Sequence, residues 1–312
     1  ARLQPDRVGV ISTCFTAHRD CSVFRDIFYR LYQHFGQQAG WIHGKFRFKM
    51  PLRLLDSTLI SLTLSVYDWA HYTTTKGAVK MHTLLDYDCL LPEFVNITDG
   101  KGSDNKAAYD IPVNPYSIVV ADRGYCDYSL LSHWDSNNVF FVVRHKDNIR
   151  YKTVRERLLP EKRAQDVLID EEIELELPVA KKKYPKKLRR IAVWNEEHGF
   201  VVELLTNNFT LAASTIAAIY KARWNIEIFF RNLKQLLRIK SFIGTTRNAV
   251  EIQIWTALIT MLILTWLKHI AKYKWAMANL VVSLRLNTFT KIDLNKWLDE
   301  PFTPPPEEPF LP

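Results

Sequence analysis

Apolar residues recur at helical spacing near the start of the chain, at Phe24, Ile27, Phe28, Leu31 and Phe35, which predicts a helix over residues 17–35. The period then changes. "FRFKMPLRLLDSTLISLTLSV" (46–66) alternates and is rich in Leu, Ile and Thr, a strand pattern, and "AVKMHTLLDYD" (78–88) is a further strand candidate. "YSIVVADRGY" (116–125) is a compact apolar strand running into Asp122, Arg123 and Gly124. "CDYSLLSHWDS" (126–136) predicts a short helix and "NVFFVVRHK" (138–146) a buried strand. Strands interleaved with helices over 47–147 predict an α/β layer.

Residues 148–208 read as a β-rich insertion. "DVLIDEEIELELP" alternates charge with Ile and Leu, and "RRIAVWNEEHGFVVELLTNN" predicts a hairpin around Glu197-His198-Gly199. "KKKYPKKLRR" (181–190) lies between them and reads as a solvated loop, with contact to phosphates as the competing reading. From Thr210 the pattern is helical, over 210–238, 247–273 and 275–286. "PFTPPPEEPFLP" (301–312) is Pro-rich and predicts disorder. The segments expected are therefore 1–45 helical, 46–147 core, 148–208 insertion, 209–290 helices and 291–312 tail.

Composition narrows the function classes. Hydrophobic residues make up 47% of 312, enough for a sizeable core, and 42 Lys and Arg against 33 Asp and Glu give a net charge of +9. That charge suits an anionic partner, with nucleic acid first and a membrane surface second. Cys14, Cys21, Cys89 and Cys126 form no CxxC pair and suggest no disulfide framework, so a reducing cytosol is expected. There is no HExxH and no GxxxxGK[ST], hence no zinc-protease motif and no nucleotide-phosphate loop. The apolar run Ile252–Leu267 is shorter than the ~20 residues a spanning helix needs, which predicts a buried core helix rather than a membrane anchor.

Candidate chemistry sits in "IYKARWNIEIFFRNLKQLLRIK" (219–240). On one continuous helix, Tyr220, Arg223, Glu227 and Lys234 share a stripe roughly 60° wide and about 21 Å long, bordering an apolar sector. Such a row is ordinary as a polar border with an internal Arg–Glu pair worth about 0.2–0.5 kcal/mol. It also suits a phosphodiester beside metal ions: Glu227 is a hard oxygen donor, while Arg223 and Lys234 neutralise phosphate oxygens. More acids are then required. Asp56 closes "LRLLD" and Asp122 closes "SIVVAD", where sites of open α/β sheets gather. Asp68, Asp86, Asp88 and Asp127 compete for the role.

The spacing Y-x2-R-x3-E-x6-K, together with "LLDST" and "VVADRGY", resembles DDE transposases of the bacterial insertion sequence 4 family, in the branch that includes the Tn-five transposase. The resemblance spans residues 45–270. It implies a ribonuclease-H-like core with a β-rich insertion between the second Asp and the Glu. Asp56, Asp122 and Glu227 would bind two Mg²⁺ or Mn²⁺ ions and carry the chemistry. Tyr220, Arg223 and Lys234 would contact transposon-end phosphates. Trp194, the insertion's Trp, would stabilise a flipped base, and Lys186 and Arg189 would add DNA contacts. Metal-dependent cleavage and strand transfer, a DNA-bound dimer, no nucleotide cofactor, no membrane, and a cytoplasmic, nucleoid-associated location are the expectations. The first 45 residues match no end-recognition domain, so the family pattern implies N-terminal truncation. A nuclease that only cuts and a silent DNA-binding remnant remain as alternatives.

Overall fold

The computed structural model describes residues 19–36, 46–62, 67, 69–70, 77–145, 149–159, 166–196, 199–236, 242 and 244–302. The chain divides into two compact units, one of residues 42–231 and one of residues 1–41 with 232–312.

The first unit is built on a mixed sheet. Its strands are β1 (Leu52–Leu62), β2 (Gly77–Asp86), β3 (Pro92–Asp99), β4 (Ile118–Ala121), β5 (Phe140–Arg144), β6 (Tyr151–Glu156), β7 (Val167–Leu175), β8 (Leu188–Asn195) and β9 (Phe200–Thr206). Among the described residues they form one nine-stranded sheet in the order β3-β2-β1-β4-β5-β9-β8-β7-β6. β1, β2 and β3 are antiparallel neighbours, whereas β4 and β5 run parallel to β1. The parallel links need crossovers, supplied by α2 (Asp104–Tyr109) before β4 and α3 (Tyr128–Ser136) before β5. Asp127 caps α3, accepting from the amides of Ser129 and Leu130 at 3.0 and 3.2 Å.

Four of the nine strands come from residues 148–208, and β9 pairs directly with β5. The β8–β9 hairpin is found, closing at the Asn195–Phe200 pair, and Gly199 takes the positive φ of 65° that the turn needs. Glu197 and His198 lie outside the described residues. β3 and β6 carry no expectation from sequence. "PEFVNITD" mixes Pro, Asn and Asp into its run, and "YKTVRE" is largely exposed.

"KKKYPKKLRR" is not one solvated loop. Lys181, Lys182 and Lys183 end a short helix, α4 (Pro178–Lys183), and are exposed. Leu188, Arg189 and Arg190 open β8 and are buried. The reason is pairing: on β7, Asp170 matches the charge of Arg189 and Glu171 that of Arg190.

Two helices follow, α5 (Ala213–Ala222) and α6 (Trp224–Leu236). The second unit contains α1 (Cys21–Gly36), α7 (Arg247–Ile270), α8 (Met277–Leu286) and α9 (Leu294–Asp299). α7 is long and apolar enough by length and composition to cross a membrane. Much of that surface is covered within the unit. Trp255 meets Phe28 of α1 with ring centroids 5.6 Å apart, and Trp266 stacks on Phe35 at 4.8 Å. Leu264 and Leu267 join Trp275, Leu280, Val281 and Leu298 in a cluster. Cys21 and Cys89 are free thiols. Residues 303–312 of the Pro-rich tail, and Cys14, lie outside the described residues.

Candidate active site

Strand register brings the two aspartates together. Leu55 of β1 pairs with Ala121 of β4, the last pair of that parallel ladder. Asp56 and Asp122 are the next residue on each strand. Parallel neighbours in register point to the same face, so the two carboxylates leave the sheet side by side. Asp56 does not close its strand, as the sequence suggested. β1 runs six residues further, to Leu62, because β2 continues to pair with it on the other side. What ends at Asp56 is the parallel neighbour.

The helix carrying the other candidates is not continuous. It breaks at Arg223, between α5 and α6. The Arg223 amide donates to the Tyr220 carbonyl at 3.0 Å and the Ile226 amide to the Arg223 carbonyl at 3.0 Å, a tight i,i−3 turn. Ile219, Ile226, Phe229 and Phe230 are buried, which fixes the faces of both helices. Tyr220 therefore projects from the end of α5 and Glu227 from the first turn of α6, with Arg223 at the joint.

These groups converge on the aspartates. The Tyr220 hydroxyl donates to Asp122 Oδ1 at 3.2 Å. Arg223 bridges Glu227 Oε1 at 2.7 Å and Asp56 Oδ2 at 3.6 Å. Its guanidinium carbon lies 5.7 Å from the centre of the Tyr220 ring. Burial pushes the Asp56 carboxyl up to about 6. The Ser57 amide, which donates to Asp56 Oδ1 at 2.8 Å, and Arg223 oppose the rise, whereas the charges of Asp122 and Glu227 add to it. Burial also drives the Tyr220 phenol up to about 12. For Arg223, burial pulls the pKa down, but Tyr220, Glu227, Asp122 and Asp56 together raise it. The five groups thus form one electrostatic unit.

Ser57 faces the other side of β1 and is clamped from behind. Its hydroxyl donates to Asp104 Oδ1 at 2.6 Å, and Lys80 Nζ donates to Asp104 Oδ2 at 3.3 Å and to the Gly102 carbonyl at 2.9 Å. The backing sets the amide that steadies Asp56. No sequence motif pointed to Asp104, because its partners lie on β1 and β2, far from it in sequence.

The remaining candidates separate. Asp127 is the α3 cap. Asp86 pairs with Arg53 at 3.0 Å and accepts from the Asp88 amide at 2.7 Å, so both belong to the β2–β3 turn. Asp68 lies outside the described residues. Arg189 is unavailable to a phosphate: it is 1% exposed, grips Asp170 through two bonds of 2.8 Å, and donates to the carbonyls of Asn208 and Leu211. Lys186 is exposed and pairs with Asp135 at 2.6 Å. Trp194 is 41% exposed on β8, opposite Val201. Lys234 is half-buried on α6 and falls in the second unit.

Among the described residues, no three His, Cys, Asp or Glu side chains stand close enough to hold a metal ion as they are. The donor type nevertheless suits a hard divalent cation, since Asp56, Asp122 and Glu227 offer only carboxylate oxygens. The mutual repulsion felt at Asp56 is the kind a bound cation relieves.

Comparison with known proteins fits this geometry. Residues 47–263 match the family described as Transposase DDE domain. The chain belongs to this family. It is 33% identical over 251 residues to the y4zB protein of Sinorhizobium fredii, which is named as a transposase, covering 80% of this chain and 68% of that one. It is 31% identical over 221 residues to a protein of Geobacillus stearothermophilus named as the transposase for insertion sequence element IS5377, covering 71% and 58%. A Synechocystis protein named for element IS4SA shares 27% over 288 residues, covering 90% and 78%. The piggyBac transposase in a synaptic complex with hairpin DNA aligns with a TM-score of 0.41 at 11% identity, over 83% of this chain and 55% of that one. The DDE chain described here thus spans 68% and 58% of the first two relatives.

Proposed function

We propose that this DDE transposase carries out DNA cleavage and strand transfer at the ends of an insertion sequence. One observation carries the reading: Asp56, Asp122 and Glu227, from two parallel strands and a helix, meet around Arg223 and Tyr220. The reaction is phosphoryl transfer. Hydrolysis of a phosphodiester at the element's end frees a 3′-hydroxyl, which then attacks target DNA.

The carboxylates of Asp56, Asp122 and Glu227 are the groups that would hold Mg²⁺ or Mn²⁺. Two such ions supply charge stabilisation of the attacking and leaving oxygens. The protein's own groups orient and neutralise. Arg223, now between Asp56 and Glu227, presents a planar fork suited to phosphate oxygens. The Tyr220 phenol, pushed up to about 12, stays protonated near neutrality and can donate. Lys234, further along α6, and Lys186 are proposed phosphate contacts, and Trp194 a stacking surface for a displaced base. This arrangement supports the ribonuclease-H-like reading of β1–β5 and the Tyr-Arg-Glu-Lys branch. DNA is the partner, a dimer forms on paired ends, and the setting is the bacterial cytoplasm.

The test is a cleavage and joining assay on DNA carrying the element's own ends, with Mg²⁺ or Mn²⁺, comparing wild type with Glu227→Gln. Metal-dependent nicking that vanishes in the variant, followed by joined product, is expected. Cutting without joining would replace the reading with a plain nuclease. Salt-sensitive DNA binding without any cutting would replace it with a binding-only chain.

A further inference from the structure

The parallel ladder that aligns Asp56 with Asp122 continues by one more strand. Ala121 of β4 pairs with Val143 of β5, the last pair there. The next residue on β5 is Arg144. Asp56, Asp122 and Arg144 are thus each the residue that follows the last ladder pair on three adjacent parallel strands, where register continued by one residue sets them in a row. The positive charge of Arg144 reaches the Tyr220 phenol, which itself donates to Asp122.

Arg144 differs from Arg223 in its commitments. Arg223 is tied to Glu227 and Asp56. Arg144 makes no ion pair among the described residues. Its guanidinium carbon instead lies 5.3 Å from the centre of the Phe200 ring. Phe200 sits on β9 four residues before Leu204, the partner of Arg144, on the part of β9 that runs past the last β5 pair. Its ring is 38% exposed, and the neighbouring Val201 and Trp194 are about as open. A guanidinium resting over an aromatic ring is partly pre-organised and loses less freedom when it meets an oxyanion.

Resting on the transposase reading above, we propose that Arg144 is a phosphate-binding residue of this site, held by Phe200 beside Asp122 to receive the DNA strand at its cleavage point. In sequence its setting, "VVRHK", looks like the end of any buried strand. Only the β4–β5 register places it next to Asp122.

The experiment measures binding of a fluorescein-labelled duplex, carrying the element's end, by anisotropy across a range of salt concentrations without divalent metal. Wild type is compared with Arg144→Ala and Arg144→Lys, after checking that each variant melts as wild type does. For Arg144→Ala the slope of log affinity on log salt is expected to fall by about one, with a loss of order tenfold at moderate salt. Arg144→Lys keeps the slope but recovers only part of the affinity, because an ammonium lacks the stacked fork. A neutral methylphosphonate at the cleavage point is expected to weaken wild type but not Arg144→Ala any further. Wild-type slope and affinity in Arg144→Ala, or equal methylphosphonate losses in both proteins, would overturn the proposal and leave the transposase reading standing. Absence of DNA binding by wild type would overturn that reading as well. If Arg144→Ala fails to fold, Arg144→Lys carries the test alone: full wild-type affinity in it would overturn the stacked geometry.

Discussion

Asp56 carries the most informative charge in the molecule. Its carboxyl is pushed up to about 6, chiefly by burial, against an ordinary value near 3.8. For a carboxyl raised in the folded state, the associated stability is fully present below the ordinary pKa and is lost as pH rises through the folded one. The metal-free protein is therefore expected to lose up to about 3 kcal/mol between about pH 4 and pH 7 on account of this group. Asp56→Asn should flatten that loss and raise the melting temperature near neutrality, while abolishing divalent-metal binding. Thermal melts of both proteins at several pH values, with a Mn²⁺ titration, check it. A melting curve that keeps its pH dependence in the variant would place the buried charge elsewhere. Asp56, Asp122, Tyr220, Arg223 and Glu227 were each legible as candidates in the sequence, and side-chain contacts link them. Arg144 and Asp104 were not, because neither belongs to a local pattern.

At the scale of elements, β7, β8 and β9 are bound by charge as well as by backbone. Arg189 joins Asp170 while Arg190 joins Glu171 at 2.6 Å and also Glu203. Removing one partner from a buried pair strands the other charge, a loss of about 3–5 kcal/mol. Arg189→Ala is thus expected to lower stability by that order, and any loss of DNA binding should follow from unfolding. Lys186→Ala, at an exposed pair, should change stability by less than about 1 kcal/mol. Urea denaturation of the two variants side by side distinguishes these roles. The same elements show where pattern reading stops. Charge runs look solvated in one dimension, and only the cross-strand partners reveal that the last three residues of "KKKYPKKLRR" are interior. The break at Arg223 was equally hidden, since "YKARWN" holds neither Gly nor Pro.

For the whole molecule, the net charge of +9 suits an anionic partner. The proposal of a dimer on paired DNA ends predicts a mass of two chains and two duplexes when end DNA is added. Light scattering or sedimentation measures it. A complex of one chain per end under all conditions would remove the dimer from the proposal. The separation into two units, with the boundary inside α6, was not legible from sequence. The periodicity of α6 runs unbroken past Arg231, and a helix pattern carries no mark of which body its flanks join.

The sequence alone determined most of the elements, with β3, β6 and α4 among the exceptions, and the reactive groups. Period-2 and period-3.6 burial patterns define a buried or half-buried strand or helix whatever surrounds it, and carboxylate, phenol and guanidinium chemistry is intrinsic to the residue. The tertiary structure decided which groups meet. The Leu55–Ala121 and Ala121–Val143 pairs set Asp56, Asp122 and Arg144 in one row, and the α5–α6 joint turns Arg223 and Glu227 onto it. Register and joint depend on contacts between residues about 20 to 170 positions apart, which local periodicity does not encode.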